Sequence, residues 1–311
     1  MVTEKITLGE GAKYPLKGIL TLPDNTEDKV PAVVFVHGSG SSNMDSKVYK
    51  MTPFKDLAEG LAKYGIASVR YDKRSFAHGF KMLMDKSEVI TVKQETVEDA
   101  VLASQLLKND SRIDADKVFI IGHSMGGMLA PRIDAEGGNF KGLVIMAGSL
   151  RTLEEIMLSQ TEEMMASVKG IAKKLTEKSM NKIFKKFDGM YEMFDQQAKK
   201  VKIGNGTTLY YFKEMGEHPA KKYLAQTDKP ILVMQGGKDV QAKADVDFAA
   251  YKNLLGDREN VSFKLYPDLN HCFVPAVYGD INRIKQEYSV EQHIGEDVIS
   301  DIAEWILSVT K

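Results

Sequence analysis

The segment Val118–Ala130, with the sequence VFIIGHSMGGMLA, is the strongest indication of the fold class of this chain. An apolar run leads directly into Gly122-His-Ser124-Met-Gly126, and a helix-like stretch follows. A serine on such a tight turn between strand and helix takes a strained backbone conformation, and glycines two positions to either side avoid the clashes there. The turn lifts the Ser124 hydroxyl clear of the sheet, beside a helix N-terminus that favours developing negative charge. The pattern therefore predicts a nucleophilic serine.

Other continuous apolar runs repeat along the chain, alternating with helix-like segments. Runs without polar alternation indicate strands buried on both faces, as in a parallel sheet covered by helices. The predicted strands are Ile6–Leu8, Leu16–Leu22, Ala32–Val36, Ala67–Tyr71, Val118–Ile121, Leu143–Met146, Ile231–Met234 and Val261–Leu265. The predicted helices are Pro53–Tyr64, Val92–Lys108, Gly126–Glu136, Val246–Leu255 and Gly295–Thr310. This alternation predicts the α/β class, with a doubly wound and mostly parallel sheet.

Residues 151–225 interrupt the alternation, with no convincing strand and with apolar residues at helical spacing. We expect a helical cap insertion between residues 1–150 and 226–311, which form the core. The insertion contains seven of the sixteen methionines of the chain. Its methionine and phenylalanine stripe fits packing inside a small helical subdomain, and it also fits the adaptable wall of an acyl or aryl pocket. Both interpretations stay open at the level of sequence.

A serine hydroxyl needs a base, which is itself held by an acid, and on folds with this turn the chain order is serine, acid, histidine. We predict that His271 is the base, because it follows the last predicted strand by a few residues. His218 and His293, the other histidines after Ser124, are expected to be structural. Asp239 is the predicted acid, because it follows a buried strand and a Gly-Gly turn at the carboxyl edge of the sheet.

Two competing aspartates, Asp245 and Asp247, lie a turn further along and are expected to cap a helix or face solvent. Asp268 is near His271 in sequence but would have to fold back sharply.

An oxyanion hole is expected where His37-Gly38-Ser39-Gly40 ends a buried strand, because glycines there let the backbone approach a ligand closely. The backbone N–H groups of Ser39 and Met125 are the predicted donors to a tetrahedral oxyanion. His37, Gly38 and His123 are expected to support the site. At another strand end, Asp72 or Arg74 could brace these loops through an ion pair, or the segment could be a solvated loop.

Composition excludes several other classes of protein. The chain of 311 residues has 42 Lys and Arg against 43 Asp and Glu, a net charge of −1, so the basic excess typical of nucleic-acid or membrane-surface binding is absent. The N-terminal segment has no apolar signal region, no apolar run is long enough to span a membrane, and Cys272 is the single cysteine. A cytoplasmic location is therefore expected. The oligomeric state is not predicted.

Metal and dinucleotide chemistry are disfavoured by the motifs. No His-Glu-x-x-His or clustered Cys/His spacing occurs. The segment after the first buried strand, His37-Gly-Ser-Gly-Ser-Ser, lacks the third glycine of a dinucleotide-binding turn. We expect neither metal nor cofactor.

Four strand-end motifs together resemble those of the α/β-hydrolase superfamily, and more narrowly of bacterial acyl esterases of the dienelactone hydrolase and cinnamoyl esterase type. They are His37-Gly-Ser-Gly40, Gly122-His-Ser-Met-Gly126, Gly236-Gly-Lys-Asp239 and Asn270-His271. The resemblance covers residues 30–147 and 229–311. It implies hydrolysis of a small-molecule ester through an acyl-enzyme on Ser124, without metal or cofactor. A peptidase, amidase or thioesterase with the same three residues remains an alternative, as does a hydrolase-fold binding protein without activity.

Overall fold

The computed structural model describes residues 1–24, 28–85, 89–204 and 206–310. Its strands are β1 (Val2–Leu8), β2 (Leu16–Leu22), β3 (Val30–Val36), β4 (Ala67–Tyr71), β5 (Ile113–His123), β6 (Leu143–Met146), β7 (Lys202–Gly204), β8 (Thr207–Thr208), β9 (Ile231–Gly236) and β10 (Val261–Tyr266). Eight of these described strands form one sheet in the order β1-β2-β4-β3-β5-β6-β9-β10. The β1–β2 and β2–β4 pairs are antiparallel, and every other neighbouring pair is parallel. The predicted doubly wound, mostly parallel sheet is confirmed.

The helices are α1 (Pro53–Lys63), α2 (Arg74–Met84), α3 (Glu98–Asn109), α4 (Met125–Ile133), α5 (Leu153–Ala166), α6 (Gly170–Phe184), α7 (Asp195–Ala198), α8 (Leu209–Gly216), α9 (Ala220–Leu224), α10 (Ala249–Leu255), α11 (Ile284–Ser289) and α12 (Glu296–Val309). Wider π-type turns at Lys93–Val97, Asp134–Gly138 and Ala244–Phe248 replace parts of three predicted helices. Helices α2 and α11 were not predicted.

The sheet is covered on both faces, which explains the unbroken apolar runs. Along β3, Val33 and Phe35 pack in the same cluster as residues of α1 and α12, whereas Val34 and Val36 pack in the cluster that contains residues of α3 and α4. These four side chains have no exposed surface. A strand with helices on both faces buries every side chain, so polar alternation disappears.

Residues 151–225 contain α5–α9 and a short β7–β8 hairpin between β6 and β9. The prediction that this segment is helical agrees with the structure, but the prediction that it has no strand is wrong. Met190, Ala198, Leu209 and Phe212 form a small buried cluster inside it. The side chain of Phe194, by contrast, is 79% exposed. The methionine and phenylalanine stripe thus serves at least partly as internal packing.

Candidate active site

Ser124 lies between the end of β5 and the start of α4, in a strained conformation with φ 56° and ψ −120°. The neighbouring glycines are required by close backbone approach. A Cβ on Gly122 would lie 2.2 Å from the carbonyl oxygen of Gly126, and one on Gly126 would lie 2.1 Å from the carbonyl oxygen of Val36. Strain at a nucleophile is one way in which a site is preorganised, because the surrounding structure over-determines the conformation.

Asp239 and His271 meet at the carboxyl edge of the sheet, after β9 and β10. The Nδ1–H group of His271 donates to Oδ2 of Asp239 at 2.7 Å. Both side chains are buried. The second oxygen of Asp239 accepts from the backbone N–H groups of Gln241 and Ala242 at 2.7 and 2.9 Å. This set of contacts fixes the carboxylate and, through it, the tautomer and direction of the imidazole.

The loop that carries His271 is fastened to the serine turn. The Nε2–H group of His123 donates to the backbone carbonyl of His271 at 2.8 Å, and the two imidazole rings lie 4.7 Å apart. Because His123 directly precedes Ser124, this bond joins the proposed base to the proposed nucleophile through one side chain.

Glu287 on α11 holds the same loop from the other side. Its carboxylate accepts from Nδ2 of Asn270 and from the backbone N–H groups of Val277 and Tyr278, at 2.9, 2.9 and 2.7 Å. Burial alone would raise the pKa of Glu287, but these hydrogen bonds hold the pKa below its usual value. Glu287 was not among the predicted site residues, since nothing in the local sequence around it indicates a contact with a distant loop.

The competing acids and histidines lie elsewhere. Asp247 is buried and accepts from Nε and Nη2 of Arg151, both at 2.9 Å, so it does not face solvent. Its Oδ2 also accepts from the backbone N–H group of Lys243 at 2.9 Å, at the start of the helical turn Ala244–Phe248, which agrees with the expected capping role. Asp245 is exposed. His218 contacts the hydroxyl of Tyr223, and His293 pairs with Asp56.

Gly38, at the end of β3, packs directly against the serine. A Cβ added to Gly38 would lie 3.1 Å from the Cβ of Ser124. Met125 is the first residue of α4, where N–H groups have no partner within the helix. Ser39 follows Gly38 and is exposed. The positions of Ser39 and Met125 are compatible with their predicted role as oxyanion donors, which stays a prediction.

His37 and His123 are held neutral by their surroundings. Burial and the nearby ammonium of Lys73 lower the pKa of His37 to about 3, and burial together with His271 lowers the pKa of His123 to about 4. The Nε2–H group of His37 donates to the backbone carbonyl of Asn43 at 3.0 Å. Both histidines therefore act here as neutral donors to backbone carbonyls.

The segment after β4 holds the neighbouring loop through a hydrogen bond, whereas its ion pair is made to α3 and not, as expected, to these loops. Asp72 accepts from the N–H group of Met44 at 2.8 Å, and Arg74 forms an ion pair with the buried Asp99. Lys73, which lies between these two residues, was not among the predicted site residues. Lys73 is buried, and its Nζ donates to the backbone carbonyl of Gly38 at 2.9 Å. A lysine two residues after a fully buried strand was the available signal.

Apart from this strand-end cluster, the described ranges contain a polar cavity of about 530 Å³ between α4 and the insertion, lined in part by Arg132, Tyr210 and Glu214. Ser124 does not line it. In the same ranges, no three His, Cys, Asp or Glu side chains are grouped so that they could hold a metal ion. None of the described helices combines the length and apolar character needed to cross a membrane.

Comparison with known proteins identifies a matching family and a curated relative. Residues 28–274 match the family model described as serine aminopeptidase, S33. Esterase EstD of Thermotoga maritima is 32% identical over 292 residues, which are 94% of this chain. This chain spans 65% of the length of that relative.

Solved structures share the fold at low sequence identity. An esterase of Pyrococcus furiosus superposes with a TM-score of 0.58 at 15% identity, covering 100% of this chain and 92% of its own. A dienelactone hydrolase of Anabaena variabilis superposes with a TM-score of 0.54 at 16% identity, covering 99% and 97% respectively. At such identities the likeness concerns the fold.

Proposed function

Since this chain belongs to the serine aminopeptidase S33 family and has the α/β-hydrolase fold, we propose that it is a serine hydrolase that cleaves carboxylic esters of small to medium acyl or aryl groups. The observation that carries the proposal is the 2.7 Å hydrogen bond between His271 and Asp239, at the sheet edge where Ser124 lies on its strained turn. The curated relative is an esterase, which supports the ester class.

The proposed reaction proceeds in two acyl-transfer steps. The Nε2 atom of His271 accepts the hydroxyl proton of Ser124 while Oγ attacks the ester carbonyl carbon, and the resulting imidazolium is stabilised by Asp239. The tetrahedral oxyanion receives hydrogen bonds from the N–H groups of Ser39 and Met125. The imidazolium then protonates the leaving alcohol, leaving an acyl-enzyme on Ser124. Water, deprotonated by His271, hydrolyses that acyl-enzyme and releases the acid.

Ester cleavage is favoured over removal of amino-terminal residues by the surroundings of Met125. An aminopeptidase needs a free carboxylate to bind the ammonium group of its substrate. The hydroxyl of Tyr211 contacts both Sδ of Met125 and the carboxylate of Glu95, so this carboxylate lies close to Met125. The carboxylate already accepts from that hydroxyl at 2.8 Å and lies 3.7 Å from the ammonium of Lys73. Its charge is thus compensated within the protein. The family description nevertheless makes an aminopeptidase the second candidate.

We also propose that residues 151–225 form a cap that selects the acyl group. Tyr211 of α8 supports this proposal, because its hydroxyl lies 3.8 Å from Sδ of Met125, next to the proposed nucleophile. The insertion therefore contacts the first turn of α4. The remaining parts of the proposal are a reducing, cytoplasmic location and no nucleic-acid partner, of which the second is supported by the net charge of −1.

The test compares p-nitrophenyl acyl esters of increasing chain length with aminoacyl-p-nitroanilides. Ester turnover, with at least a ~10⁴-fold loss of kcat in Ser124→Ala, is the expected result. A fluorophosphonate probe should label the wild-type protein and not Ser124→Ala. Preferential cleavage of the anilides would establish the aminopeptidase instead. If the wild-type protein neither turns over nor labels, the serine hydrolase proposal is wrong.

A further inference from the structure

Lys73 makes an unusual contact beside Ser124. Its side chain is buried at the end of β4, and Nζ donates to the backbone carbonyl oxygen of Gly38 at 2.9 Å. The carbonyl of Gly38 and the N–H group of Ser39 belong to the same peptide unit. That N–H group is the proposed oxyanion donor, so the ammonium of Lys73 binds the opposite end of the peptide that would hold the oxyanion.

The planarity of the peptide bond gives this contact a consequence for the donor. In a trans peptide the C=O and N–H bonds point in opposite directions within one rigid plane, so fixing the oxygen also fixes the direction of the N–H bond. A cation on the carbonyl oxygen also polarises the amide, and hydrogen bonds in such a chain strengthen one another. Lys73 therefore both orients the Ser39 N–H group and increases its strength as a donor.

Lys73 is itself held from two directions. Its backbone N–H group donates to the carbonyl of Ser42 at 3.0 Å, which joins β4 to the loop after Ser39. Its ammonium lies 3.7 Å from Oε2 of Glu95, and the same oxygen accepts from the hydroxyl of Tyr211 at 2.8 Å. The contacts thus run from the insertion, through two buried charged groups, to the peptide between Gly38 and Ser39.

Other charged groups near Lys73 are already paired. Asp99, the other carboxylate that acts on its ammonium, forms an ion pair with Arg74. His37 is neutral at physiological pH because its pKa is lowered to about 3. Burial lowers the pKa of Lys73, and Glu95 opposes this change. Glu95 is thus the carboxylate that compensates the charge.

We propose that Lys73 is a positioning residue for the oxyanion hole, and that Glu95 and Tyr211 hold its ammonium against the carbonyl of Gly38. The proposal rests on the proposed serine hydrolase function. It extends that function by assigning a positioning role to three residues outside the proposed triad and the two proposed oxyanion donors. Through Tyr211, the position of the insertion affects the strength of the oxyanion donor.

The test removes the ammonium without leaving a buried unpaired carboxylate. The double variant Lys73→Met/Glu95→Gln replaces both charged groups with neutral side chains of similar size. We expect kcat for a p-nitrophenyl ester to fall ~10- to 100-fold. This loss is smaller than, or at most similar to, the loss that follows when an oxyanion donor is removed altogether. KM should stay within about twofold, because the contact acts on the transition state.

A second readout separates positioning from general loss of structure. A trifluoromethyl ketone forms a tetrahedral adduct on Ser124 that carries an oxyanion, so its inhibition constant should rise by the same factor as kcat falls. The inhibition constant of the product carboxylic acid, which forms no adduct, should not change. Loss of both inhibitors in parallel would indicate a merely structural role and would overturn the proposal.

Lys108 provides the matched control. It is half-buried, and its Nζ donates to a backbone carbonyl, that of Gly138, at 3.1 Å, but it lies on α3, outside both the insertion and the strand-end site. Lys108→Met should change thermal stability and leave kcat and the ketone inhibition constant unchanged. An equal fall of kcat in this variant would overturn the proposal.

If the double variant does not fold, the variant Tyr211→Phe tests the proposal in its place. It removes only the hydroxyl that donates to Glu95, and we expect kcat to fall severalfold with KM unchanged. An unchanged kcat would overturn the proposed role of the insertion. A wild-type protein whose turnover does not depend on Ser124 would refute the proposed function itself, which the Ser124→Ala comparison detects separately.

Discussion

The buried imidazole of His37 should make the folded protein sensitive to acid. Its side chain packs between the rings of Phe54 and Tyr71, with ring centroids 5.0 and 5.7 Å away, and its only described hydrogen bond is to a carbonyl oxygen. The pKa of His37 falls from 6.5 in an unperturbed histidine to about 3. Below pH 6.5 the unfolded chain therefore binds a proton that the folded protein does not.

The size and sign of the effect follow from proton linkage. Because the unfolded state binds more protons, the free energy of unfolding falls as pH falls from 6.5 towards 3. One pKa unit corresponds to about 1.4 kcal/mol, so His37 accounts for a loss of roughly 2 kcal/mol at pH 5 and roughly 4–5 kcal/mol at pH 3.

The measurement is the free energy of unfolding in urea at intervals between pH 4.5 and 7.5, for the wild type and for His37→Gln. Glutamine can still donate to the carbonyl of Asn43 but does not titrate. The variant should be less stable at pH 7.5, and the gap should narrow by about 2 kcal/mol at pH 5. Parallel curves over this range would refute the argument.

His293 is the matched control because its pKa moves in the other direction. It is exposed, and its hydrogen bond to Asp56 raises its pKa. A raised pKa contributes stability that is present at low pH and lost as pH rises through the folded value. His293→Gln should therefore reduce stability at acid pH and have little effect at pH 7.5, the opposite of His37→Gln.

Three further outcomes are expected. Glu287→Gln should lower the free energy of unfolding by roughly 2–4 kcal/mol, because a carboxylate that accepts several hydrogen bonds is replaced by a group that also donates. It should also lower kcat/KM, because the loop that carries the proposed base is released. Unchanged urea unfolding curves would contradict this prediction. Gly122→Ala should destabilise the protein by more than about 2 kcal/mol in a thermal melt, since the added Cβ lies 2.2 Å from a backbone oxygen. Gly79→Ala is the control. It lies in helix α2 with open space around the added Cβ, so it should be neutral or stabilising in the same melt. Met190→Ala should cost roughly 2–4 kcal/mol and Phe194→Ala less than about 0.5 kcal/mol, because the first side chain is 1% and the second 79% exposed; equal melting temperatures for these two variants would refute the packing argument.

The sequence alone determined the fold and the order of the candidate residues. The turn around Ser124 is a local device, since glycines at fixed spacing after an apolar run satisfy its steric requirements within ten residues. The alternation of apolar runs and helical segments predicted the parallel sheet, because a strand that is buried on both faces is apolar along its whole length. Asp239 and His271 could be proposed because parallel strands bring their carboxyl ends to one edge of the sheet.

The polar side chains that hold the site together outside these motifs could be recognised only from the packing of distant segments. Asp247 follows Asp239 closely in sequence and was therefore a rival candidate for the acid. It is instead buried in contact with Arg151, about a hundred residues earlier in the chain. Glu287 carries no local pattern, and Lys73 has only its place just after a buried strand. Each is defined by carbonyl or N–H groups that other parts of the chain bring to it. A periodic pattern records which side chains are buried along an element. The hydrogen-bond partner of a buried charge comes from a distant segment, so its identity depends on how strands and loops pack together.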